Sequence, residues 1–353
     1  MRNKYTYKAL PAGVKFMLAV SLFLFASCRE QRKERGIERS FYYWKSVLRF
    51  SPGEISKMDS LGVKTLYVKY FDVDWDPGQN RPVPVAKLRS AGTGWPFSKW
   101  AIPVVFITNN CLQQIDSTGA QLLAQQICKL VGELTQVMDI RTLPELQIDC
   151  DWTASTKDRY FSLLREIRKV NPITTISVTI RLHQVKFTDR TGIPPADRGL
   201  LMCYNMGNLK NPATVNSILE TKEVEKYTGL LEYYPLPLDI GLPLFNWKVL
   251  FRDNVYKGLI QELPGHLLTP SFTIREGNRY VFLKDTVLQG YEFRRGDLLR
   301  DEQSSYSEIL KTAAYVSQFL KNTSTRVSLY HLDSVLLTKY SLHELETVFD
   351  RFR

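Results

Sequence analysis

Eight β-rich segments, most of them separated by a segment of helical periodicity, constrain this chain more than any other feature. They are 41–46 (FYYWKS), 65–73 (TLYVKYFDV), 101–108 (AIPVVFIT), 143–155 (LPELQIDCDWTAS), 175–182 (TISVTIRL), 199–205 (GLLMCYN), 239–247 (DIGLPLFNW) and 326–332 (RVSLYHL). β-Branched and aromatic enrichment marks them as strands. Between the first two, SPGE (51–54) opens a helix. Ser51 caps it, Pro52 fits its first turn, Glu54 completes a capping box, and Gly62 can end it. A long helix follows Ser117. Another starts at Ser155 and Asp158, with Tyr160, Leu163, Leu164 and Ile167 at helical spacing, and Asn171-Pro172 stops it. Further helices are predicted over about 212–231 and from SLHE (341–344). The alternation predicts an α/β fold, a (β/α)8 TIM barrel. Its rival, an open doubly wound sheet, wants a Gly-rich phosphate loop after the first strand, and the sequence has none.

One interval departs from the alternation. About eighty residues separate the seventh and eighth strands, too many for one loop. Residues 272–299 alternate in polarity around an EGN turn, which predicts a small β-rich insertion at about 265–303, then a helix over 305–321.

The N-terminus reads differently. Arg2, Lys4, Lys8 and Lys15 precede the apolar run FMLAVSLFLFAS (16–27) and Cys28. The run is too short to span a bilayer and has the layout of a secretory signal. Its end, FASC (25–28), resembles a bacterial lipoprotein box, in which the Cys thiol is acylated. An ordinary signal peptide with Cys28 as a bystander is the alternative. The organisation expected is therefore a signal peptide at 1–27, lipidated Cys28 and a tether at 28–39, and the barrel at 40–350. The expected site is the bacterial cell envelope, at the outer membrane if the cell is Gram-negative. Loss of 1–27 removes four of the basic residues and leaves +7 of the +11 net charge. With no zinc-finger spacing and no basic helix interleaved with aromatics, nucleic acid is not an expected partner. Cys111, Cys128, Cys150 and Cys203 form no CxxC pair. Cys150 and Cys203 are expected to point outward under helices, and free thiols are the expected state of all four, with a disulfide in an oxidising compartment as the alternative.

In such a barrel, strand C-termini build the active site. Side chains alternate along a strand, so Gln147, Asp149 and Asp151 share one face. Two carboxylates that close cannot both ionise freely, so one pKa should rise. Such pairs serve acid/base and glycosidic chemistry. Alternatively, they satisfy loop amides or pair with an interior arginine such as Arg181. FDVDWDPG (71–78) adds Asp72, Asp74 and Asp76 at alternate positions. Pro77 and Val83 stand where a calcium loop needs Gly and a bidentate Glu, so a substrate-contacting loop fits better, with Asp72 and Asp74 as binding residues. Trp44, Trp75, Trp152, Tyr204 and Trp247 lie at strand ends, where aromatic faces can bury sugar rings. Core packing is their other use. His183 and His331 lack metal-ligand spacing, and no Ser nucleophile elbow or HExxH occurs, so neither metal nor cofactor is expected.

IDCDWT (148–153) resembles the strand-four motif DxxDxDxE of the family-18 glycoside hydrolases, the chitinase-like barrels. MCYN (202–205) resembles their MxYD, and GLPLFNW (241–247) their GLPxYG. A closer likeness is to domain of unknown function 3142, whose QxDxD strand is similar to LQIDCD and whose seventh-strand region is similar to YPLPLDIGLPLFNWKVLFR (234–252). The family-18 likeness implies Asp149 and Asp151 as the site's centre, with Asp151 orienting a substrate acetamido group and Asp149 supporting it. It implies Tyr204 as helper, and Gln147, by its place on the same strand face, and Trp152, Asn205 and Trp247, at strand ends, are the expected neighbours. The chain departs from the pattern at two places. Thr153 occupies the position of the proton-donating Glu, and a Thr hydroxyl cannot act as a general acid near neutral pH. Asn205 replaces the strand-six acid. Two functions follow: turnover of a polysaccharide or glycoconjugate with another donor, or glycan or partner recognition by a degenerate barrel.

Overall fold

A computed structural model describes residues 35–353 apart from 93, 94, 97, 174 and 262. Cys28 and the start of the tether lie outside the described residues. Eight parallel strands close a barrel: β1 (Gly36–Tyr43), β2 (Thr65–Asp76), β3 (Trp100–Ile107), β4 (Glu145–Asp149), β5 (Thr175–Arg181), β6 (Arg198–Met202), β7 (Leu238–Pro243) and β8 (Ser324–Tyr330). Closure is visible at Ser40 of β1, which lies opposite both Thr65 of β2 and Ser328 of β8. Helices lie between most of the strands. The main ones are α1 (Pro52–Ser60), α2 (Ser117–Val137), α3 (Lys157–Val170), α4 (Tyr306–Val316) and α5 (Leu342–Asp350).

Strand alternation divides the side chains into two sets. Leu146, Ile148, Val178, Ile180, Leu201 and Cys203 point outward and join the buried layer under the helices. Cys111, Cys150 and Cys203 are buried free thiols, and burial pushes all three thiol pKa values up. Inward-facing positions are largely polar toward the N-terminal end. There Arg326 donates to Glu145 at 3.0 Å and to the Tyr67 hydroxyl at 2.7 Å, while Arg198 donates to Asp239 at 2.5 Å. Deleting one member of such a buried pair costs about 3–5 kcal/mol, because its partner's charge stays buried.

Local signals explain the helix boundaries. α1 has the full Ser51–Glu54 capping box, and Gly62 follows its end at φ +63°. α5 has the same box from Ser341 and Glu344. The helix expected over 212–231 is not formed. Turns fill that stretch, with short helices at Thr221–Glu225 and Leu231–Tyr233. Asn208, Asn211 and Asn216 each accept a backbone N–H two residues on, and these local turns compete with a helix.

The insertion starts earlier than expected, at Asn246 rather than about 265. Its antiparallel sheet orders strands Val255–Ile260, Asn246–Arg252, Leu298–Gln303, Arg279–Phe282 and Thr273–Glu276, with a separate hairpin at Thr286–Leu288 and Tyr291–Phe293. Ile260, Leu263, Leu268, Tyr280, Phe282, Phe293 and Leu299 give it a core of its own. The sequence continues from β7 into this sheet at once, so Trp247 belongs to the insertion rather than to β7.

Candidate functional site

The inward faces of β4 and β5 meet at the barrel's C-terminal mouth. Gln147 is fully buried; its Oε1 accepts from the Tyr42 hydroxyl at 2.5 Å and its Nε2 donates to Ser177 at 3.4 Å. It supports the site from below and offers nothing to a ligand. One layer higher, Asp149 is 7% exposed and accepts from Thr179 Oγ1 at 2.5 Å. Burial, and next the Asp151 charge, push its pKa up to about 6, against the opposing Thr179 hydrogen bond and Arg181 charge.

Asp151 lies past the end of β4, half exposed. Arg181, the last residue of β5, grips both its oxygens: Nε to Oδ1 at 2.5 Å and Nη2 to Oδ2 at 2.8 Å. This planar, two-pronged geometry suits guanidinium and carboxylate. Asn109 Nδ2 holds the Asp151 carbonyl. Thr153 faces solvent, and its hydroxyl contacts that of Ser155 at 2.8 Å. It opens the turn into α3.

Trp152 does not reach the mouth. Asp151 turns inward, so its neighbour turns outward. Trp152 is fully buried and stacked on Tyr160 at 5.1 Å, and its Nε1 donates to the Thr191 carbonyl at 2.9 Å. The substrate-binding role expected for Trp152 is corrected to core packing. Trp75, on the same outward face of β2 as Phe71 and Val73, also packs against the core, whereas Trp44, Tyr204 and Trp247 do converge. Trp44 is 5.9 Å from Tyr42 and 5.6 Å from Tyr330, centroid to centroid. Tyr204 is 5.6 Å from Tyr330 and 5.9 Å from Phe245, which is 5.2 Å from Trp247. Gly241 on β7 makes room for this cluster: a Cβ there would fall 2.9 Å from Leu200 Cδ2 and 3.5 Å from the Tyr204 ring. Asn205 follows Tyr204 in the left-handed region (φ 58°), is exposed, and donates its N–H to Ile218 O at 2.7 Å.

Asp72 and Asp74 divide in role. Asp72 accepts from Lys69 Nζ at 2.7 Å, and its other oxygen is buried without a hydrogen-bond partner. Lys69 Nζ lies 5.3 Å from the Trp44 ring centroid. Asp72 lies in one lateral row with Asp149 through Phe106 of β3, and its charge also contributes to the raised Asp149 pKa. Asp74 accepts from Thr108 Oγ1 at 2.6 Å, from Asn110 and from the Trp75 N–H. The Thr108 hydrogen bond first, then the other two, hold its carboxyl below the usual range. Asp74 thus organises the β2–β3 rim. Asp76 closes a turn by accepting from Gly78 N at 2.8 Å.

Sequence reasoning missed Tyr42, Lys69, Thr179, Phe245 and Tyr330, and placed Arg181 only as a possible partner of the acids. Each missed residue sits on an inward face, two positions from another inward residue or just past a strand end. Period-two counting applied to every strand, not to β4 alone, would have found them. A cavity of about 230 Å³ lies away from this site, lined by Tyr234, Pro235, Leu238 and Leu320 among others, and contains none of the mouth residues.

No protein-family model matches the chain, so its likeness to domain of unknown function 3142 rests on the quoted motifs alone. No curated protein matches it either. Solved structures do. The C-terminal domain of a putative chitinase from Desulfitobacterium hafniense aligns over 90% of this chain and 100% of its own, with TM-score 0.53 and 9% identity. A chitinase from Bacteroides thetaiotaomicron aligns over 89% and 96%, with TM-score 0.52 and 11% identity. The spore cortex-lytic enzyme SleL of Bacillus cereus aligns over 91% and 75%, with TM-score 0.51 and 12% identity. At these identities the likeness is one of fold, and the chain shares the (β/α)8 barrel of chitinase-like proteins.

Proposed function

We propose that this chain is a lipid-anchored protein of the bacterial envelope whose barrel mouth binds a polysaccharide or glycoconjugate, with Asp149 and Asp151 at the centre. The observation that carries this reading is one arrangement: the Thr179–Asp149 and Arg181–Asp151 contacts beside the partly exposed rings of Trp44, Phe245 and Tyr330, with Tyr204, only 2% exposed, packed behind them. Ring faces bury the apolar side of a sugar, and fixed polar groups read its hydroxyls. Proteins sharing the fold include chitinases and a spore cortex-lytic enzyme, which makes N-acetylglucosamine polymers the first class to test. The basic N-terminal residues, the apolar run 16–27 and the FASC stretch at 25–28 support the anchored, envelope part of the reading.

Recognition without cleavage fits the site best. Arg181 occupies both Asp151 oxygens, and Thr153 offers no proton. One observation favours hydrolysis instead: Asp149, at about 6, resembles the raised partner of an acid/base pair. The test incubates residues 29–353 with a glycan panel that includes N-acetylglucosamine polymers and host N-glycans, beside an Asp149→Asn/Asp151→Asn double variant. Binding by the wild type without new reducing ends supports recognition. Reducing ends from the wild type alone would replace it with hydrolysis. Neither binding nor release across the panel would sink both.

A further inference from the structure

The insertion's Arg300–Glu302 ion pair reaches beyond its own sheet. Both side chains are completely shielded from solvent. Glu302 Oε1 accepts from Arg300 Nε at 2.5 Å. Its Oε2 accepts from Trp247 Nε1 at 2.7 Å and from Ser217 Oγ at 2.5 Å. Arg300 donates from Nη2 to the carbonyl of Leu209, at 3.0 Å, and from Nη1 to that of Asn211, at 2.7 Å. One carboxylate and one guanidinium therefore tie together the strand Leu298–Gln303, the aromatic Trp247, and the loop 205–217 that begins directly after Tyr204. Asn216 Nδ2 to Gln303 O (2.8 Å) and Asn278 Nδ2 to Val215 O (2.9 Å) reinforce the tie.

Local turns at Asn208, Asn211 and Asn216, with Thr214 Oγ1 to Asn208 O at 2.8 Å, shape the loop from within, and Arg279 Nη2 to Thr214 O at 3.2 Å adds a further tie to the insertion. Among the described residues, however, only the Arg300–Glu302 pair joins the loop and Trp247 through one buried group. The loop contains no helix or strand, and its base is closed by Asn205 N to Ile218 O and Gly207 N to Ser217 O. Trp247 ends a run of rings that passes from Trp44 through Tyr330 and Phe245 in steps of 5.6, 5.6 and 5.2 Å. That run is longer than one sugar ring. We propose that Arg300 and Glu302 are positioning residues: they preset Trp247 and the loop 205–217 as one wall of the cleft, fitted to a glycan of several residues. This rests on the glycan reading above.

The test uses the full chain, with Glu302→Gln and, separately, Ser217→Ala, which leaves the ion pair intact should the first variant fail to fold. Amide exchange at Asn205 and Gly207 is followed beside that of β4 and β5. Affinity is measured for the tetramer and the dimer of N-acetylglucosamine. Losing a hydrogen bond to a charged group predicts exchange about tenfold faster in the loop with β4 and β5 unchanged, and tetramer affinity about tenfold weaker with the dimer much less affected. Unchanged loop exchange in the folded variants, or equal losses for tetramer and dimer, would overturn the proposal. A wild type that binds neither oligomer would overturn the glycan reading instead, and the exchange data would still decide whether the pair positions the loop.

Discussion

Replacing Asp149 by Asn should make the protein more stable at neutral pH and change it little in acid. The Asp149 carboxyl has a pKa of about 6 when folded, against an ordinary 3.8. Raised in the native state, it keeps its proton there longer than in the unfolded chain. Wild-type stability therefore falls as pH rises from about 4 through 6, and the full cost is present above that. A shift of about two units is worth about 3 kcal/mol, most of which, about 2 kcal/mol, develops between about pH 4 and 7.5. Asn has nearly the same shape, keeps an oxygen to accept from Thr179, and carries no charge at any pH. Denaturant unfolding of wild type and Asp149→Asn at both pH values should show the variant's gain growing by about 2 kcal/mol toward pH 7.5. A gain that does not depend on pH, or no gain at neutral pH, would refute the account of Asp149 as a desolvated carboxyl pressed by Asp151.

Other outcomes follow from the same geometry. Asp151→Asn removes the charge that presses on Asp149 and leaves Arg181 nearby, so Asp149 should titrate below about 6, read by carboxyl NMR. Trp152→Ala should cost about 3–5 kcal/mol in denaturant unfolding, since it empties a fully buried site under α3. Glycan binding that falls without loss of stability would instead return Trp152 to the cleft. Trp44→Ala, at a half-buried position beside Lys69, Tyr42 and Tyr330, should weaken glycan binding in calorimetry and cost less stability than Trp152→Ala, about 1–2 kcal/mol from the lost ring contacts.

The barrel was legible because its signals are local and repeated. β-Branched strands, the Ser51 and Ser341 capping boxes and the Asn171-Pro172 stop each act within a few residues. The acid pair was legible because period two on β4 places Asp149 and Asp151 on one face. What they do there was not, because the answer lies on other strands. Arg181 is thirty residues away in sequence, and its grip on Asp151 is a fact of β4 and β5 pairing. Trp152 misled because alternation was applied to the acids and not to the residue between them. The start of the insertion at Asn246 was hidden because NWKVLFR reads as a continuation of β7. The region 212–231 has helical composition in part, but its asparagines close local turns first.

A structure of the protein with a bound N-acetylglucosamine tetramer tests the central claim most directly. The account predicts a sugar ring against Trp44 and Tyr330, with a hydroxyl or acetamido group within hydrogen-bond distance of the Asp151–Arg181 pair. A tetramer seated on any other surface, or an empty mouth at saturating glycan, would contradict it.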